Sequence, residues 1–239
     1  MAEIFAKHFR AAHEPERSEM RRILRQEELG KISREDKRKF LWDRDTRLFL
    51  EVEAAAFNRR NIGLLAELFP QAKFIVTVRD AYTYTDSVIN HLLNHSVALE
   101  GERRGLVGQV MGDGRFRHAP EERELLELEL HTLDGYLSNY AASTADILQS
   151  TPADRCLVIR TDKIRESVAD IANFVGVRAD LLDTSRSHAF KATKRFGVLA
   201  RMDSDFVDAK VREHCADLMS EYFPEIRSVR DVMTRLRAD

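Results

Sequence analysis

The residues best spaced for chemistry lie between Lys73 and Val97, in KFIVTVRDAYTYTDSVINHLLNHSV. Arg79 follows a short apolar, β-branched run, Lys73–Val78, with the pattern of a strand buried on both faces. Val88, Ile89, Leu92, Leu93 and Val97 then recur at three- and four-residue intervals, which predicts a helix from Tyr82 with one apolar face. An Arg at the end of a buried strand, next to a helix start, is the chemistry of an anion site: N–H groups and the positive end of the helix dipole meet a guanidinium. Ser87, eight residues after Arg79, adds a hydroxyl. The same spacing also describes an ordinary strand-to-helix corner whose Arg pairs with Asp80 or another carboxylate, and spacing does not separate the two.

Other groups have weaker patterns. His13 and Glu14, residue types that can serve as a general base, sit in a short extended piece, Arg10–Glu16, ended by Pro15. Glu51 and Glu53 fall near a predicted strand end, the place where a carboxylate faces a ligand crevice. Lys191, Lys194, Arg195 and Gly197 make a basic, glycine-containing segment, either a phosphate-closing loop or a solvated surface loop. His91 and His95 have the four-residue spacing of a metal pair but no evident third ligand, so no metal is expected.

The elements that must position these residues alternate. Ala2–Phe9 reads as a helix, as does Glu16–Leu29, which Gly30 stops; Ser33–Asp36 opens another with capping-box spacing. Arg47–Ala54 reads as a strand, Asn58–Phe69 as a helix, and Lys73–Arg79 and Tyr82–Leu99 as the next strand and helix. Glu121–Gln149 is helical in one piece or two, Arg155–Arg160 is a buried strand, and Lys163–Val175 and Asp205–Phe223 are helices. Alternation with short connections predicts right-handed βαβ units and a parallel sheet in one domain. Gly101–Gly114 holds five of the ten glycines and reads as a loop, a lid over a site or a plain surface excursion.

Composition narrows the function class. At 239 residues, with 44% hydrophobic and 33% charged residues, the chain suits one folded α/β domain. A net charge of −2, with basic clusters set among Glu and Asp, gives no field for nucleic acid or an anionic membrane. No apolar run reaches the roughly 18–20 residues of a membrane span. Two cysteines with no metal-like spacing and no apolar leader predict a reducing cytoplasm.

Phe74–Asp80 with Ser87 resembles the 3′-phosphate-binding segment of sulfotransferases that use 3′-phosphoadenylyl sulfate (PAPS), with Ala81 where that family usually has Pro. The likeness runs more loosely from about Arg10 to Ile226, and RCLVIRTDKI at Arg155–Ile164 resembles the family's later sheet strand and acidic turn. It implies a three-layer, P-loop NTPase-like parallel sheet flanked by helices. It also implies that Arg79 and Ser87 hold the 3′-phosphate, that Lys194 and Arg195 close over the nucleotide, and that His13 or Glu14 is the base. The expected reaction is sulfuryl transfer from PAPS to a hydroxyl or amine of a carbohydrate, lipid or small metabolite, without a metal. The family's Gly-Thr/Ser-rich loop for the 5′-phosphosulfate has no counterpart in these residues, which begin inside what resembles the helix after it. That leaves an expectation of a loop encoded upstream, or of an inactive sulfotransferase-like binding module. A kinase-like P-loop protein is a further alternative, weakened by the lack of a Walker lysine and of an evident magnesium-binding carboxylate.

Overall fold

A computed structural model describes residues 1–94, 115–186 and 194–237. In chain order the elements are α1 (Ala2–Phe5), β1 (Ala11–His13), α2 (Arg17–Glu28), α3 (Arg34–Leu48), β2 (Val52–Ala54), α4 (Ile62–Leu68), β3 (Phe74–Val78) and α5 (Ala81–Asn94). After them come α6 (Arg123–Glu127), α7 (Leu133–Ser150), β4 (Cys156–Arg160), α8 (Val168–Val175), α9 (Val198–Arg201), α10 (Ser204–Tyr222) and α11 (Met233–Leu236). This is a mixed α/β protein with small sheets: β1 pairs with β2, and β3 with β4. The β1–β2 pair is parallel, in the register Ala11↔Val52, Ala12↔Glu53, His13↔Ala54. No helix among the described residues is long and apolar enough to cross a membrane.

The chain divides into two compact units, Met1–Thr77 with Asp146–Ala189, and Val78–Ala145 with Phe190–Asp239. The first unit has two apolar clusters. Ile4, Phe5, Ile159, Ile164, Ile171, Ala172 and Leu182 form one. Met20, Leu24, Leu41, Phe57 and Leu64, from α2, α3 and α4 and the turn before α4, form the other. Each buried aliphatic or aromatic side chain contributes roughly 1.5–3 kcal/mol. In the second unit α5 is the central rod, packed by α9, α10, α11 and the short turn Val229–Val232.

The largest departure from expectation is at Arg47–Ala54, where a strand was expected. Helix α3 runs through Leu48, and strand β2 begins only at Val52. The reason lies upstream. Ser33 and Asp36 form a reciprocal capping box that starts the helix. Lys39 and Asp43, four apart, then pair across a turn at 2.5 Å. Local caps and charges carry this helix rather than an apolar stripe, until Phe49 ends it in the left-handed region (φ 49°). Helix α1 ends at Phe5 rather than Phe9, and α8 starts at Val168 rather than Lys163, after a turn at Thr161–Lys163. Gly30 and Gly176 stop their helices with φ of 64° and 84°, as their positions predict. The Glu121–Gln149 region is in two pieces, α6 and α7. The glycine-rich stretch Gly101–Gly114, His95 and Lys191 lie outside the described residues.

Candidate functional site

Arg79 leaves β3 with its main chain clamped. The Tyr140 hydroxyl accepts from the Arg79 N–H at 3.0 Å and donates to the Arg79 carbonyl at 2.6 Å. One side chain from α7 thus satisfies both polar groups of a backbone unit that has left its strand. Tyr140 is itself held by stacking on Tyr84, with ring centroids 3.7 Å apart. The Arg79 guanidinium is half-buried and forms no ion pair or side-chain hydrogen bond among the described residues.

Asp80 is not its partner. The Asp80 carboxylate caps α5, accepting from the Thr83 N–H at 2.8 Å and from the Thr83 hydroxyl. The positive helix end is therefore already met by a carboxylate, and an anion beside Arg79 would depend on side chains further along the helix. Ser87 is exposed on α5, and its hydroxyl makes no hydrogen bond among the described residues.

The second unit gathers the basic segment onto that helix. Asn90 and Asn94 lie one turn apart, and each holds main chain from Lys194–Phe196. The Asn90 side-chain oxygen accepts from the Phe196 N–H at 2.8 Å, and the Asn94 amide donates to the Lys194 carbonyl at 2.8 Å. Gly197 adopts φ 64° just before α9, a conformation a side chain would strain. The exposed Lys194 ammonium lies 5.0 Å from the centre of the Phe196 ring, and Arg195 Nη1 donates to the Arg235 carbonyl at 2.6 Å. Arg79 and Arg195 both act on the same group, the carboxyl of Asp86, one residue before Ser87.

Asp86 was not expected to matter. It is 5% exposed, one of its oxygens accepts from the Asn90 amide at 2.8 Å, and the other is buried with no hydrogen-bond partner. Burial pushes its carboxyl up to about 6, against the pull of Arg195 and Arg79 and of the Asn90 hydrogen bond. The apolar spacing in α5 drew attention to Val88, Ile89, Leu92 and Leu93. Of these only Ile89 is fully buried, while Thr85, Asp86 and Asn90 are buried beside it. The available signal was the Asp86–Asn90–Asn94 spacing of four, a polar stripe inside an otherwise apolar helix.

Comparison with known proteins adds little at the level of sequence: no protein-family model matches, and no characterised protein matches. A search of solved structures returns a sulfotransferase from Alicyclobacillus acidocaldarius. It is 18% identical, covers 75% of this chain and 70% of that chain, and has a TM-score of 0.43.

The expected base residues belong to the first unit. His13, at the end of β1, is exposed, and its Nδ1 lies 3.2 Å from the Ala54 carbonyl. Glu14 has φ 47° and Glu16 φ 52°, on either side of Pro15, a left-handed conformation that costs non-glycine residues roughly 1–2 kcal/mol each. Contacts hold the turn in place. The Glu14 N–H donates to the Ala54 carbonyl at 2.9 Å, Glu14 pairs with Arg17, and Glu16 pairs with Arg47 at 2.8 Å. The other two carboxylates are also paired: Glu53 with the buried Arg44 at 2.7 Å, and Glu51 with Arg10 at 3.6 Å. Glu14, Glu51 and Glu53 are thus all engaged by arginines.

One further cluster escaped the sequence reading. Asp134, Glu213 and His214 bring one potential metal-ligand atom each within 4.8 Å of one another. Lys210 stands among them, its ammonium 2.8 Å from Asp134 and 3.4 Å from Glu213, and His214 Nε2 lies 2.6 Å from Asp134. The lysine supplies the positive charge that two carboxylates require, and the group reads as a tie between α7 and α10.

Proposed function

We propose that this protein is a PAPS-dependent sulfotransferase whose nucleotide 3′-phosphate is held by Arg79 and Ser87, with Lys194 and Arg195 closing over it. A half-buried guanidinium with no side-chain partner among the described residues, an exposed hydroxyl on the helix that follows it, and a basic segment pinned to that helix carry the reading. A buried or half-buried Arg is ordinarily paired, and a phosphate would complete this one with charge-assisted bonds. Tyr140 fixes the Arg79 backbone, so only the side chain remains to be ordered on binding. His13 or Glu14 accepts the acceptor's proton as the sulfuryl group moves in line from PAPS to a hydroxyl or amine. The acceptor class is a carbohydrate, lipid or small metabolite, and the fold that goes with the reading is a three-layer, P-loop-like sheet in a single domain.

A second reading, nucleotide binding without transfer, is favoured by one observation: the Glu14 carboxylate is engaged by Arg17. Calorimetry with adenosine 3′,5′-bisphosphate tests the shared part. Losing the charge-assisted bonds of Arg79 should weaken binding by about tenfold to a hundredfold in Arg79→Ala. Equal affinity in wild type and variant removes Arg79 from the site. Product formation from PAPS with mixed acceptors, absent in His13→Ala or Glu14→Gln, separates transfer from binding alone.

A further inference from the structure

Asp86 is a paradox under the reading just given, because a carboxylate beside an anion site repels its ligand. It is nevertheless buried there, with one oxygen unpartnered and two guanidiniums, Arg79 and Arg195, acting on it from outside ion-pair distance. A buried oxygen with no partner is ordinarily destabilising, so its presence asks for a use. We propose that Asp86 is the internal counter-ion of the anion site of Arg79, Ser87, Lys194 and Arg195, and that it takes up one proton when a dianionic phosphate binds. The proposal rests on the anion-site reading above and adds a regulatory property to it.

With the site empty, the charged carboxylate balances part of the positive charge of the two guanidiniums. A dianion arriving at the same guanidiniums supplies that balance from the other side. The carboxylate is then a like charge in a poorly solvated position, and protonation relieves the repulsion. As the acid, its O–H can also serve as a donor, which the unpartnered oxygen lacks in the charged form.

Among the described residues, the charged groups of the surrounding elements leave Asp86 to these two partners. From α10, Asp208 and Arg212 act on Tyr82, as does Asp231 of the turn before α11. On α9, Arg201 pairs with Glu124. From α11, Arg235 offers a carbonyl to Arg195. Within α5 itself, Asn90 donates to the carboxylate.

Calorimetry with adenosine 3′,5′-bisphosphate on wild type and Asp86→Asn, from pH 5 to pH 8, tests this. The affinity ratio of the two proteins cancels the ionisation of the ligand. With the carboxyl at about 6 in the free protein, each pH unit above that value is a factor of about ten if the acid is fully protonated in the complex. Asp86→Asn should therefore bind up to about a hundredfold tighter than wild type at pH 8, about tenfold tighter at pH 7, and equally at pH 5. Wild type should also take up protons on binding at pH 7, measured as a dependence of heat on buffer ionisation. The ligand's phosphates release protons in a cationic site, so net uptake points to the protein. This measurement stands even if the Asn variant fails to fold.

A ratio that does not change with pH, or net proton release by wild type, overturns the role of Asp86 while leaving the nucleotide site intact. Absence of nucleotide binding by wild type at every pH overturns both.

Discussion

Replacing Asp86 by Asn should change how the fold responds to pH even when nothing is bound. The carboxyl is 5% exposed and pushed up to about 6, whereas an unfolded chain titrates Asp near 3.9. The folded protein thus holds this proton more tightly than the unfolded chain. Its stabilising effect is complete below about pH 4 and is lost as pH rises through about 6, beyond which it is constant. Two pKa units at roughly 1.4 kcal/mol each set an upper limit of about 3 kcal/mol, and water reaching the group would reduce it to about 1–2 kcal/mol. Asn keeps the shape and can still accept from the Asn90 amide through its own oxygen, but carries no charge to bury. Urea unfolding followed by far-ultraviolet circular dichroism at pH 4, 5, 6, 7 and 8 gives the stability difference between the two proteins, in which the other titrating groups cancel. That difference should move in favour of Asp86→Asn by about 1–3 kcal/mol between pH 4 and pH 7 and then level off. A difference that stays constant across this range would mean that Asp86 is an ordinary solvated acid. Movement in the opposite direction would mean that Arg79 and Arg195 outweigh burial and that the group is a conventional ion pair.

Two other perturbations probe the supports of the site. Tyr140→Phe removes the one hydroxyl serving both the N–H and the carbonyl of Arg79, and should cost about 1–3 kcal/mol by thermal or chemical unfolding; an unchanged stability would show that water replaces it freely. Asp134 is raised by burial but pulled below its ordinary value overall by Lys210 and His214, so its contribution is present above the normal Asp range and fades on acidification. Lys210→Met should therefore destabilise the protein at pH 7 and much less at pH 3, and an equal loss at both values would assign Lys210 a packing role only.

How much of this was legible beforehand depends on whether a signal was local. The strand Phe74–Val78, the turn at Arg79-Asp80 and the helix after it were readable because a β-branched run and an amphipathic run change period at one point. The capping box at Ser33 was readable for the same reason, yet its consequence was missed: α3 continues through Arg47–Leu48, where a strand was expected. There the capping box and the i,i+4 pair Lys39–Asp43 support the helix through that stretch. The position of Lys194–Phe196 could not be read at all. Nothing local in the sequence says that Asn90 and Asn94 reach across about a hundred residues to bind that segment's backbone. Asp134 and His214, eighty residues apart, are invisible for the same reason.

The polar stripe of α5 ties these observations together. A helix at the centre of a packed unit is expected to bury Leu, Ile and Val, and this one buries Thr85, Asp86 and Asn90 as well. Two of the three have evident work: the Thr85 hydroxyl donates to the Ala81 carbonyl at 2.8 Å, and Asn90 bridges Asp86 to Phe196. Both are therefore explained by satisfaction alone, the ordinary fate of buried polar groups. Asp86 is not, since half of its carboxylate lacks a partner. A purely structural role would be served as well by Asn at that position, which could accept from Asn90 without placing a charge beside two guanidiniums. The carboxylate makes physical sense where the charge itself is used, at neutral pH and near an Arg that has no other side-chain partner among the described residues. An internal acid that gives way to an incoming dianion meets both conditions, and a static salt bridge meets neither, because no ion pair between Asp86 and either Arg79 or Arg195 is formed.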